Sequence, residues 1–181
     1  MDASALIAVL QDAVPGAPFE AAPSIDLQTT IYVTADALPK VARTLRDRAD
    51  LAFALLAELT ADDFWPTEPR FEVVYILVSP ANRLRVRLKV RLHADAARIQ
   101  TVTSIWPAAN WLEREVWDLF GIVFDGHPDP RRLLMPEDWD GFPLRKDYPV
   151  QIRKTPASTE PLQVTAEQFR QSVERDRLTR T

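Results

Sequence analysis

Residues 83 to 92 alternate without a break: Arg83, Arg85, Arg87, Lys89 and Arg91 hold one parity, and Leu84, Val86, Leu88, Val90 and Leu92 the other. Successive strand side chains point to opposite faces, so this pattern predicts a strand with one basic and one apolar face. Phe71 to Val78 is apolar on both parities apart from Glu72, as a central strand would be. Thr29 to Val33 and Ile99 to Ile105 also read as strands. Leu51 to Leu59 fits two periods. Leu51, Leu55, Leu56 and Leu59 share a helical face, while the short length and Pro66 and Pro69 beyond it favour a buried strand.

Three segments carry helical spacing. Leu6, Val9, Leu10 and Ala13 predict a helix from Ala3 to Ala13, ended by Pro15-Gly16. Leu38, Val41, Ala42, Leu45 and Ala49 share one face of a second helix, with Asp36 as its cap and Pro39 in the first turn, where a missing N–H costs nothing. Asn110 and Glu113 resemble a capping box, and Gly121 stands where a left-handed glycine would end a helix over 111–120. Leu112, Val116, Leu119 and Phe120 then face the core, and Trp111, Arg114, Glu115 and Asp118 lie opposite. Strands and helices follow one another without βαβ regularity. The predicted class is α+β: a mixed or antiparallel sheet with helices on one face, spanning 1–120, then a Pro-rich loop over 121–149 and a C-terminal arm over 150–181.

Composition narrows the function. The 181 residues include no Cys, which removes thiolate ligands for iron–sulfur clusters and the usual structural zinc sites. Gly is scarce (4) against Pro (15), and no G-x-G-x-x-G loop is present to cradle a phosphate. A net charge of -4 argues against nucleic acid, and the basic parity of 83–92 is explained by a solvated or partner-facing sheet. The longest apolar run, Leu51 to Ala57, is too short to cross a membrane, and no basic region precedes the apolar stretch at the N-terminus, so neither a span nor a signal peptide is expected.

The densest block is 106–149. On the outer face of its helix, Glu115 and Asp118 are near enough to act together, yet the chain holds only His93 and His127 to join them in a metal site. Arg114 and Asp118 read as an ordinary i,i+4 pair. A charged face bearing Trp111 suits packing against the following loop or another protein. That loop is interrupted by five prolines, yet it carries Ile122, Phe124, Leu133, Leu134, Met135, Trp139, Phe142, Leu144 and Tyr148. Such a segment must lie on something. Asp125-Gly126 and Asp140-Gly141 mark turns in it. His127, between Gly126 and Pro128, reads as a structural hydrogen-bonding residue.

Glu113-Arg114-Glu115, Asp118-Leu119-Phe120-Gly121, Gly126-His127-Pro128 and Arg131-Arg132-Leu133-Leu134, extended by Pro136-Glu137-Asp138-Trp139 and Pro143 to Pro149, resemble the signature of the thirty-kilodalton subunit of respiratory complex I. The resemblance covers about residues 25 to 150. Pro130 stands where Leu is usual in that family, and Phe142 where His is common. The resemblance implies a subunit of the peripheral arm of NADH-quinone oxidoreductase, with no flavin, cluster or quinone chemistry of its own. It would lie beside the quinone-site subunit, on the cytoplasmic side of the inner membrane. It also implies interfacial and structural roles for Glu113, Arg114, Glu115, Asp118, Arg131, Arg132, Arg145 and Asp147, and Trp111, His127 and Lys146 of the same block are expected at that partner interface. The rival reading is the equivalent subunit of a membrane-bound hydrogenase or formate hydrogenlyase. In the arm, Thr165 and Gln168 are placed to cap a helix from Ala166 to about Arg177 whose apolar stripe, Phe169 and Val173, needs a partner surface.

Overall fold

The computed structural model describes residues 2–149 together with Glu167, Arg170 and Gln171. The chain divides into a unit over Met1–Tyr148 and a second over Pro149–Thr181. In the second, Glu167, Arg170 and Gln171 are helical, and the rest of the expected arm helix, with the connector before it, lies outside the described residues.

The first unit begins with helix α1 (Ala3–Ala13), capped by the Asp2 side chain, which accepts the Ala5 N–H at 2.8 Å. Strands β1 (Phe19–Ala21) and β2 (Thr30–Val33) follow, then helix α2 (Leu38–Asp47) and strands β3 (Leu55–Asp63), β4 (Phe71–Ser79) and β5 (Leu84–Leu92). Short strand β6 (Arg98–Gln100), helix α3 (Ala109–Phe120) and strand β7 (Val123–Asp125) complete it. The main sheet runs β1-β2-β5-β4-β3, parallel between β2 and β5 and antiparallel elsewhere. The sheet is therefore mixed, and the α+β class holds.

Register shows how one face becomes the core. Val73 pairs Val90, Tyr75 pairs Leu88 and Leu77 pairs Val86, so these positions share a face. They form one buried cluster with Leu6 and Leu10 of α1, Leu38, Val41 and Leu45 of α2, and Val116 and Phe120 of α3. Helices therefore cover one side of the sheet. On the other side three members of the basic stripe of β5 pair with acids, Arg87 with Asp26 at 2.6 Å, Lys89 with Glu72 at 2.5 Å and Arg91 with Glu20 at 3.3 Å, while Arg85 and Arg91 stay exposed, as on a solvated face. Arg91 also lies over the Tyr32 ring, 3.5 Å from its centre.

Several local expectations are corrected. Asp36 caps nothing. Ala37 is the cap residue of α2, the Thr34 carbonyl accepts the Ala37 and Leu38 N–H groups, and Pro39 removes a further donor that would need a cap. Ala49 lies beyond α2 and is exposed. Leu51 and Phe53 are buried, but residues 51 to 54 reverse the chain, with the Leu51 and Ala52 N–H groups turned onto the Arg48 carbonyl, so β3 starts only at Leu55. Pairing with β2 makes a strand, β1, of Phe19–Ala21, where the sequence pattern predicts no element. The expected strand over Ile99 to Ile105 stops at Gln100, because Glu113 takes the Val102 N–H and the Val102 carbonyl then accepts from Ile105 and Trp106. Asn110 and Glu113 make no capping box: α3 already begins at Ala109, and its cap residue Ala108 makes no side-chain bond. The Pro-rich loop is not wholly irregular either, since Val123–Asp125 pairs in parallel with β6.

Candidate functional site

The signature residues gather where the loop over 121–148 folds back on α3. Gly121 makes the reversal possible. Its φ of 74° is left-handed, and a Cβ there would stand 2.5 Å from both the Arg145 guanidinium and the Phe142 ring.

Asp118 is the anchor of the loop. It is fully buried, and its Oδ2 accepts three consecutive backbone N–H groups, from Leu133 at 2.9 Å, Leu134 at 2.7 Å and Met135 at 2.9 Å. Its Oδ1 accepts from Arg132 at 2.7 Å. Burial pushes the carboxyl up, but the bonds from Met135, Arg132, Leu133 and Leu134 together outweigh it and hold it below its ordinary value. Arg132 in turn donates to the carbonyls of Trp139 at 2.8 Å and Gly141 at 3.1 Å. Arg114 donates to the carbonyls of Arg131 at 3.1 Å and Arg132 at 3.0 Å. The expected Arg114–Asp118 pair does not form, because each side chain turns to the loop, where it binds backbone as well as charge.

Glu113 is fully buried. It accepts the Val102 N–H at 2.8 Å and the Thr101 hydroxyl at 2.5 Å, and its Oε2 lies 3.9 Å from His127 Nε2. Burial pushes its carboxyl up to about 7, against the opposing bonds from Thr101 and Val102. His127 Nδ1 accepts the Asp129 N–H at 3.0 Å, which leaves Nε2 to donate to the Asn110 carbonyl at 3.1 Å. Pro130 lines a small cavity together with Glu113 and His127.

A second knot closes the loop's far end. Arg70 grips Asp63 through Nε and Nη2, both at 2.9 Å, and Asp147 at 3.0 and 2.7 Å. Asp63 also accepts the Lys146 N–H at 2.8 Å and is held down to about 2: burial opposes this, but the bonds from Arg70, Lys146 and Trp65 prevail. Arg145 donates to the Phe120 carbonyl at 2.5 Å and stacks on Phe142, 4.6 Å from its centre. Phe142 thus covers Gly121. Asp63 and Arg70 escape the sequence reading, although Asp63 shares the parity of the core residues Leu59 and Ala61.

Glu113, Arg114, Asp118, His127, Arg132, Arg145 and Asp147 are therefore engaged within the chain. Trp111 is exposed, as are Arg131 and Lys146, and Glu115 is half-buried. The buried carboxylates of Asp63, Glu113 and Asp118 are all committed to hydrogen bonds, chiefly with backbone N–H groups and guanidinium donors. The arrangement is suited to holding backbone in place, because charge-assisted bonds to N–H and C=O groups are the strong ones.

Residues 31–154 match the family model of the respiratory-chain NADH dehydrogenase, 30 Kd subunit. The chain belongs to this family. Its relatives agree. The NADH-quinone oxidoreductase C subunit of Roseiflexus castenholzii is 44% identical over 83% of this chain and 86% of its own length. The same subunit of Roseiflexus sp. (strain RS-1) is 49% identical over 67% of this chain and 70% of its own. Among solved structures, the trypsin-resistant fragment (1-134) of Nqo5 is 34% identical with a TM-score of 0.55, covering 68% of this chain and 98% of that one. A chain of the membrane-bound sulfane sulfur reductase, an archaeal respiratory membrane complex, is 28% identical with a TM-score of 0.66, covering 81% and 85%. In this member of the thirty-kilodalton family, Arg114, Asp118 and Arg132 of the signature bind the loop that follows α3.

Proposed function

We propose that this chain is a cofactor-free structural and connecting subunit of the peripheral arm of NADH-quinone oxidoreductase. It supports electron transfer from NADH to quinone by holding neighbouring subunits in place. Its chief partner is the quinone-site subunit, and it meets the membrane, on the cytoplasmic side, only through the complex. The observation that carries this reading is the fate of the signature: Asp118 and Arg132 spend their charge on fixing a loop, which suits a rigid docking element better than a site of proton or electron transfer. The absence of Cys supports it. No described helix is long and apolar enough to cross a membrane. Trp111, exposed with Arg114 5.2 Å from its ring centre, offers a partner an aromatic anchor on the outer face of α3.

The test is purification of the tagged chain from native membranes in mild detergent, beside spectra and NADH oxidation of the isolated chain. Recovery of peripheral-arm subunits with a colourless, inactive isolated protein is expected. A stoichiometric chromophore on the isolated chain would overturn the cofactor-free assignment. A second reading, the counterpart subunit of another membrane-bound redox complex, is favoured by the likeness to the sulfane sulfur reductase chain, and the identity of the co-purifying subunits separates the two.

A further inference from the structure

The β3–β4 hairpin presents two large aromatic side chains to solvent at its tip, Phe64 at 47% and Trp65 at 50% exposure. Turns in water are usually built from Gly, Pro, Asn, Asp and Ser. Here the polar groups beside the tip are spent on fixing its shape. The Phe64 N–H donates to the Arg70 carbonyl at 2.8 Å, the Thr67 N–H to the Phe64 carbonyl at 2.9 Å, and the Trp65 N–H to Asp63 at 2.9 Å. Asp63 is in turn clamped by the buried Arg70. Arg70 and Asp63 also bind Asp147 and the Lys146 N–H, which brings Leu144, 51% exposed, to the same end of the unit. Half-exposed aromatics on a stiff platform have the makings of binding anchors, because little side-chain and loop entropy is left to lose.

The ground beside them is acidic. β3 is an edge of the sheet, and its solvent-facing positions Glu58 and Asp62 are exposed and have no ion-pair partner among the described residues. Unpaired acids on an edge strand repel a second copy of themselves and disfavour edge-to-edge pairing. They favour a partner with cations at the matching positions.

We propose that the Phe64–Trp65 tip and the acidic edge of β3 form a second docking surface, distinct from the outer face of α3, for a basic, apolar-pocketed surface of a neighbouring subunit in the same complex. This rests on the reading of the chain as a connecting subunit. The two aromatics fill the pockets, and Glu58 and Asp62 pair with Lys or Arg around them. A connecting subunit needs two separated contacts to fix an orientation, and the Arg70 knot ties this one to the loop that covers α3.

The test places a photoreactive phenylalanine at position 65 of the full chain in the native complex. A cross-link to another subunit, at a stretch flanked by Lys or Arg, is expected. In parallel, a Phe64→Ala/Trp65→Ala chain, with its melting curve checked against wild type, should recover that subunit with about tenfold lower affinity. Glu58→Lys/Asp62→Lys should weaken recovery in the same direction. A cross-link to a second copy of this chain, no cross-link, or wild-type recovery by the aromatic double variant would each overturn the docking surface while leaving the connecting role in place. Failure of the wild-type chain to bring down any peripheral-arm subunit would overturn both.

Discussion

Arg132 Nη1 sits 2.7 Å from Asp118 Oδ1, with the carboxylate fully buried and the guanidinium side chain only 14% exposed. Removing one member of such a pair leaves the other charged and desolvated. Asp118→Ala is expected to cost about 3 to 5 kcal/mol. Asp118→Asn keeps the shape but turns an amide N–H₂ toward donors, and should cost at least about 1 to 3 kcal/mol. Urea unfolding of the purified chain checks both. In the complex, Asp118→Asn should lower the amount assembled while leaving turnover per assembled complex nearly unchanged.

Glu113 gives the fold a pH dependence of definite sign. Its ordinary value is 4.5 and burial raises it in the folded chain to about 7. The folded state therefore holds this proton more tightly than the unfolded state. The resulting stabilisation is complete below about pH 4.5 and is lost as pH rises through 7, a difference of about 3 kcal/mol. Glu113→Gln keeps a carbonyl oxygen for the Val102 N–H, turns an amide N–H₂ to the Thr101 hydroxyl, which can rotate to accept it, and cannot ionise. Denaturation from pH 4.5 to 8 should show the wild type losing stability relative to the variant over that window. Parallel curves would mean that Glu113 stays ionised in the fold.

Gly121 and Gly16 make a matched pair of left-handed glycines, with φ of 74° and 83°. At Gly16 a Cβ would meet nothing within 4 Å, whereas at Gly121 it would strike Arg145 and Phe142. Gly16→Ala should cost only the backbone strain, about 1 to 2 kcal/mol. Gly121→Ala adds overpacking of about 1 to 3 kcal/mol more. Thermal melts of the two variants should differ accordingly, and equal losses would show that the loop yields freely at Phe142.

Arg70 holds two acids of unequal burial, since the Asp63 side chain is 1% exposed and that of Asp147 is 42% exposed. Arg70→Met should therefore cost about 3 to 5 kcal/mol, mostly through the stranded Asp63. Asp147→Asn should cost no more than about 1 kcal/mol. Reversal of that ranking in chemical denaturation would place the weight of the knot on the outer pair.

The legible parts of this fold are those whose pattern repeats. The alternation of Leu84 to Leu92 shows in every second residue, and α2 shows in the spacing of Leu38, Val41, Ala42 and Leu45, because burial on one face leaves a periodic trace. Glu113 leaves no such trace. A carboxylate on a helix reads as solvent-facing, and nothing local announces that Thr101 and Val102, 12 and 11 residues earlier, will take it inside. Arg114 and Asp118 do lie on the face away from the core, but helical spacing suggests that they bind each other. Their partners are backbone groups of a loop whose path no periodicity describes. The signature as a whole is readable as a block of unusual density, and the job of each charge within it is not.

The clamp between Asp63 and Lys146 spans 83 residues. Chains emerge from the ribosome in order, at roughly 5 to 20 residues per second, so Asp63 is made about 4 to 17 seconds before the N–H that completes its shell. Asp118 likewise precedes Leu133 to Met135. Until residues 132 to 146 are released, Asp118 lacks the Arg132 and loop N–H donors that hold it, and Asp63, already bound by Arg70 and the Trp65 N–H, lacks the Lys146 N–H. A truncated product ending before residue 132 retains the five-stranded sheet but none of the loop donors, which makes synthesis through Lys146, more than formation of the sheet, the step that closes this unit.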